Sequence, residues 1–138
     1  MFHLIFLALS PNYDYKLDEK SFDAKALHMV EKYTQLNFPA GTRGLHMYYN
    51  GNKTTDPSFW AKIELLAVSK DNLLKQIKKM KSQKVESDSS PLKNCPEYLP
   101  WWKLEKETIL IEKCNGNSFV WLCKEEKSWF LYVWWSHY

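Results

Sequence analysis

Thr108–Trp135 reads TILIEKCNGNSFVWLCKEEKSWFLYVWW, and its pattern decides the fold. Thr108–Lys113 and Ser118–Lys124 flank Asn115-Gly116, a dipeptide that adopts the left-handed backbone of a two-residue hairpin turn. A second turn at Glu125-Glu126 leads into a strand over Ser128–Trp135. The expectation is a three-stranded antiparallel meander. Side chains alternate along a strand. One face therefore collects Phe119, Trp121, Cys123, Phe130, Tyr132 and Trp134, and the other Val120, Leu122, Trp129, Leu131, Val133 and Trp135. Both faces are apolar, whereas an antiparallel sheet ordinarily shows one face to water. This sheet needs cover on both sides: helices on one, and on the other the N-terminal apolar stretch with a proline-bearing loop, or another protein.

The two helices are found upstream. Ser21 stands where an N-cap belongs, ahead of Phe22, Ala26, Met29 and Tyr33, whose spacing predicts a helix over 21–35. Asn12–Tyr15 before it reads as a loop. After the turn chemistry of Phe38–Thr42, Leu45, Met47 and Tyr49 alternate with Gly44, His46 and Tyr48 in a half-buried strand. Phe59, Ala61, Ile63 and Leu65 alternate with Trp60, Lys62, Glu64 and Leu66 in a second, which should pair antiparallel with the first. Ser69 heads a second helix over 69–82, with Leu73, Leu74, Ile77 and Met80 inward and Lys75, Lys78, Lys79 and Lys81 on a solvated face. Val85–Pro100 holds three prolines and a serine cluster and reads as a long surface connection.

The fold class is thus α+β: a single domain over 1–138, built on an antiparallel sheet with the meander at its heart and two helices packed on one face. Residues 1–84 supply an apolar leader segment and a helix-strand-strand-helix part, 85–100 the loop, and 101–138 the aromatic meander. Met1–Ser10 (MFHLIFLALS) lacks a basic n-region and a small-x-small cleavage site, which favours a buried segment over a signal remnant. No apolar run approaches the roughly 20 residues that span a bilayer.

Chemistry-bearing signatures are sparse. There is no G-x-S-x-G, no H-E-x-x-H and no phosphate-cradling glycine loop, so an enzyme is not expected and neither is a cofactor. Cys95, Cys114 and Cys123 form no CxxC and have no histidine at zinc spacing, which argues against a metal site. Cys114 and Cys123 lie too far apart along the hairpin for a disulfide, Cys114 opposite Asn117 and Cys123 opposite Thr108. Of 19 basic residues only Arg43 is an arginine. Lysines lack the fork that reads guanines and phosphates, so specific nucleic-acid recognition is disfavoured. Aromatic residues, by contrast, make up 16% of the chain. Trp101-Trp102 and Trp134-Trp135 are adjacent pairs whose members must point to opposite sides of an extended strand, leaving one of each pair for a contact surface with Tyr138 nearby.

The segments Asn37–Tyr49 (NFPAGTRGLHMYY) and Asp56–Ile63 (DPSFWAKI), with Pro100-Trp101-Trp102-Lys103 ahead of the aromatic meander, resemble small bacterial envelope and immunity-type proteins over Leu36 to Tyr138. That resemblance implies a protein encoded beside a secreted toxin or secretion-system effector, neutralising it by direct contact in the bacterial envelope or periplasm, the cytoplasm being the alternative. Ser10-Pro11 stands where a lipoprotein would carry its cysteine. The expected partner is a cognate toxin or a second copy of the chain. The expected contact residues are Trp101, Trp102, Trp134, Trp135 and Tyr138, with the acidic stretch Asp14, Asp18 and Glu19. The alternative is a small lipid- or ligand-binding envelope protein with an aromatic-lined pocket between sheet and helices.

Overall fold

A computed structural model describes residues 13–51, 57–81 and 99–136. Its strands are β1 (Tyr15–Leu17), β2 (Arg43–Asn50), β3 (Ser58–Leu65), β4 (Ile109–Asn115), β5 (Ser118–Glu125) and β6 (Ser128–Ser136), with helices α1 (Ala24–Thr34) and α2 (Lys70–Lys79). The six strands form one antiparallel sheet in the order β1-β2-β3-β6-β5-β4. The α+β class, the antiparallel pairing of β2 with β3 and the C-terminal meander are as expected. Met1–Ser10, Cys95, Tyr138 and most of Val85–Pro100 lie outside the described residues.

Two clusters of buried side chains lie on the two faces of the sheet. The first joins Ala61, Ile63, Val120, Leu122, Leu131 and Val133 to Met29 and Val30 of α1 and to Leu73 and Ile77 of α2. Both helices thus cover one face. Leu73 and Ile77 are wholly buried, and each contributes roughly 1.5–3 kcal/mol to holding α2 down. Gln76 fixes the helix in register: its side-chain oxygen accepts from the Asn37 amide and its side-chain nitrogen donates to the Asn37 carbonyl, both at 2.7 Å. Ser118 ties α1 to the meander by donating to the Tyr33 carbonyl at 2.9 Å.

Four local expectations are corrected. The first helix is capped by Asp23, whose carboxylate accepts from the Ala26 amide at 3.0 Å; Ser21 instead closes a turn with Asp18. It ends in left-handed Gln35, at φ 63°. The second helix is shorter than expected, and Ser69 makes no side-chain cap there. Tyr15–Leu17 is a strand rather than a loop, pairing with Tyr49, Tyr48 and Met47. A bulge between Gly44 and His46 turns Leu45 onto the face opposite Met47 and Tyr49.

The hairpins also differ by one residue at each turn. Asn115 pairs with Ser118, so Gly116-Asn117 is central, and Glu125 pairs with Ser128, so Glu126-Lys127 is central. Partners move by two positions along β5–β6 and along β4–β5 from Ile111 to Asn115, and a shift of two leaves a side chain on its expected face; a bulge between Ile109 and Ile111 makes the shift at Cys123 one position. Cys114 now lies opposite Phe119 and Cys123 opposite Ile109. Four residues along β5 separate these positions, about 13 Å, still beyond the roughly 7 Å between Cα atoms that a disulfide can bridge. Both thiols are free.

Candidate functional site

The second face is built from aromatic rings set in rows across the strands. Register places Tyr48, Trp60, Trp134 and Phe119 side by side on β2, β3, β6 and β5. Their ring centroids are 5.6, 6.1 and 4.7 Å apart, with planes inclined by only 20–26°. Parallel rings of neighbouring strands shield each other's faces, each pair adding about 0.5–1.5 kcal/mol beyond area burial.

The next row runs His46, Lys62, Tyr132, Trp121 and Glu112. Lys62 is only 9% exposed. Its ammonium meets Glu125 at 3.0 Å and lies 4.5 Å from the Phe130 ring and 5.2 Å from that of Tyr132. The Tyr132 hydroxyl donates to the other oxygen of Glu125. Burial first, and then the Glu125 carboxylate, push the Tyr132 hydroxyl pKa far above the ordinary phenol value. Burial likewise pushes the Cys123 thiol up to about 12, which removes it as a nucleophile at neutral pH. At the far end of the row the Trp121 indole donates to Glu112 at 3.0 Å.

A six-residue strap, Leu99–Leu104, crosses this face. A turn closed by the Trp102 amide on the Leu99 carbonyl, at 3.1 Å, buries Leu99. Trp101 stacks on His46, centroids 5.3 Å apart and planes 11° apart. Trp102 stands edge-on to Tyr132 and Trp121, at 5.2 and 5.9 Å. Both strap tryptophans stay half-exposed.

The candidate contact residues fall into three groups. Trp134 and Trp135 do point to opposite faces, but each is only 7% exposed. The expectation that one of them stands outside is corrected: the aromatic row covers Trp134, while Trp135 is packed by Tyr33 of α1 at 4.3 Å. Asp14 accepts from the Gly51 amide at 3.0 Å and the Tyr48 hydroxyl at 3.4 Å, a strand-closing role. Asp18 and Glu19 lie within electrostatic reach of His46, on which Trp101 stacks. Asp18 accepts from the Ser21 and Lys20 amides and the Ser21 hydroxyl, which holds its carboxyl below the ordinary range. Glu19 lies 3.8 Å from Arg43, whose guanidinium also reaches Glu64 at 2.7 Å.

His46 joins the two elements. Burial and Lys62 lower its pKa, while Glu19 and Asp18 pull the other way. Trp101 and His46 thus stack on the second face, the Glu19 and Asp18 carboxylates act on His46, and Arg43 pairs with Glu19 and Glu64. His46 and Arg43 were missed as contact residues. Both lie on β2, and their neighbours Trp101 and Glu19 come from segments distant in sequence, the strap and the stretch after β1.

An open cavity of about 540 Å³ lies at the end of the strap, lined by Lys103, Glu105, Thr108, Glu125, Glu126 and Phe130. Among the described residues Phe130 is the only aromatic group in its lining, so this is not the expected aromatic pocket between sheet and helices. Among the described residues no group of three or more histidine, cysteine or acidic side chains is placed to hold a metal ion, and no helix is long and apolar enough to cross a membrane. Comparisons with protein-family models, curated proteins and solved structures find no match for this chain.

Proposed function

We propose that this chain is a non-enzymatic binding protein that neutralises a bacterial toxin or effector by direct contact, in the bacterial envelope. The observation that carries the reading is the margin of the second face. There a partly exposed tryptophan is held flat on a histidine that feels the Glu19 and Asp18 carboxylates, and Glu19 in turn meets the chain's single arginine. A rigid aromatic anchor ringed by charge is the composition of an interface hot spot. Its stacking on His46 fixes the ring before contact, so little side-chain entropy is lost on binding.

Co-expression with the toxin encoded by a neighbouring gene tests the reading. Rescue of growth by the wild-type chain and its loss with Trp101→Ala are expected, together with a binding defect of at least about 2 kcal/mol and a nearly unchanged melting temperature. Rescue that survives Trp101→Ala and Glu19→Lys alike would remove this margin as the contact surface. A complete lack of binding to the neighbouring product would remove the inhibitory function.

The rim cavity favours a second reading, capture of a small ligand, since its volume falls within the roughly 300–1,000 Å³ of small-molecule sites. Native mass spectrometry of freshly purified protein separates the two. A stoichiometric ligand that is lost on Phe130→Ala supports the cavity, and a bare chain mass speaks for the protein contact.

A further inference from the structure

The helix-covered side of the molecule ends in a surface of different chemistry. Lys70–Lys81 carries five lysines against one carboxylate, Asp71, and Lys70 already meets Asp71 at 2.9 Å. With Leu73 and Ile77 buried against the sheet, Lys75, Lys78, Lys79 and Lys81 are left exposed. At the head of the helix a short 3-10 turn, Ala67–Ser69, leaves Val68 88% exposed, and Leu66 just before it is 50% exposed. Trp129 lies at the same end: it pairs with Leu65 in the sheet, and its half-buried ring is 4.8 Å from the Lys70 ammonium and 5.5 Å from that of Lys124.

We infer that this end of the molecule, the lysine face of α2 with Leu66, Val68 and Trp129 at its head, docks on an anionic phospholipid surface. Three properties favour a bilayer over an acidic protein. The cations are all lysines, hydrated point charges that respond to a field rather than clasp one carboxylate. The exposed apolar residues stand out on a turn and can enter the headgroup boundary. A tryptophan flanked by ammonium groups suits that boundary, where its apolar ring and N–H are both accommodated. Apolar insertion combined with a basic patch supplies two signals, the number that stable rather than marginal membrane attachment needs. This surface lies across the sheet from the strap, so it is separable from the contact margin proposed above.

Co-sedimentation of the full chain with vesicles tests the inference, using about 30 mol% phosphatidylglycerol in phosphatidylcholine against phosphatidylcholine alone. Binding to the anionic vesicles only is expected, weakening steeply with salt. Lys75→Gln with Lys79→Gln should lower the partition by about 25-fold, on the order of fivefold for each lysine. Val68→Ser should lower it several-fold, while Lys16→Gln, on the far side of the sheet, should leave it unchanged. Lack of vesicle binding overturns the inference, as does a partition indifferent to Val68→Ser or to the paired lysine change. Lysine-dependent capture on immobilised polyglutamate without vesicle binding also overturns it, and assigns the face to an acidic polypeptide instead.

Discussion

The two faces of this sheet solve one problem with different materials. On the first, a mainly aliphatic strand surface that also holds Tyr49, Phe59 and Trp135 meets two helices, and the cover is another layer of secondary structure. On the second, a strap of six residues crosses a floor of tryptophan, tyrosine and phenylalanine, with a buried lysine among them. A helix is about 10 Å wide and fills a hydrophobic face by itself. A single extended segment cannot, so the rings of the second face shield one another by stacking along the rows. Aliphatic side chains suit a face that will be covered, whereas aromatic ones let a face cover itself in part and still present an edge for contact.

Substitutions that remove one partner from each face sharpen this contrast. The largest effects belong to Trp134→Ala and Trp135→Ala, about 3–5 kcal/mol each by denaturant unfolding, because both indoles are buried. If Trp134→Ala cost well under 2 kcal/mol, the self-covering account of the second face would fail. Next comes Lys62→Met, which leaves Glu125 without its cation and should destabilise by about 3 kcal/mol. The Lys62→Met, Glu125→Gln double variant should recover part of that loss, and strictly additive losses would show that the pair is not coupled.

Gly44→Ala probes the first face from its margin. An added Cβ would lie 2.1 Å from the Phe22 ring, so Phe22 must leave its seat under the sheet. A cost of about 1–3 kcal/mol is expected, with Phe22→Ala in the same chain removing most of the extra penalty. The smallest effect is electrostatic. Burial and Lys62 lower the pKa of His46 from its ordinary 6.5, so the unfolded chain binds this proton more readily than the folded one. The stability contributed is present in full above pH 6.5 and is lost as the pH falls from there through the folded pKa. Melting temperature should therefore decline on acidification over that window, and His46→Phe should flatten that part of the decline.

The long-range features of the fold were legible where side-chain period alone decides them. The face assignments in β5 and β6 hold although both turns differ by one residue, because the resulting shift in pairing is even. What could not be read depends on neighbours distant in sequence. Tyr15–Leu17 is too short to show a period and is a strand only because the edge of β2 accepts it. The bulge at Leu45 sits beside Gly44, whose contact with Phe22 comes from more than twenty residues earlier and leaves no mark in the alternation. At the site, adjacency correctly implied opposite directions for Trp134 and Trp135, which lie in a strand, but not for Trp101 and Trp102, which sit in a turn and both pack on the second face, and it said nothing of exposure. Trp134 is covered by rings from other strands and Trp135 by Phe59 and Tyr33 of α1, while Trp101, stacked on His46 and edge-on to Trp102, stays partly exposed. Asp18 and Glu19 were legible as an acidic stretch, and their nearness to His46 was not.

The strand order carries a consequence for how the chain is made. β6, the last strand of the sequence described, lies at the centre of the sheet and joins β3, which precedes it by more than sixty residues. During synthesis at roughly 5–20 residues per second, β1, β2 and α1 can assemble early, yet β3 must wait several seconds with one hydrogen-bonding edge open. An unpaired edge of that length, carrying Phe59, Trp60 and Ile63, is a template for pairing with a neighbouring nascent chain. The yield of this protein in a crowded cell therefore rests on how quickly Ser128–Ser136 closes the seam, and the folded state then hides the strand that was most hazardous on the way.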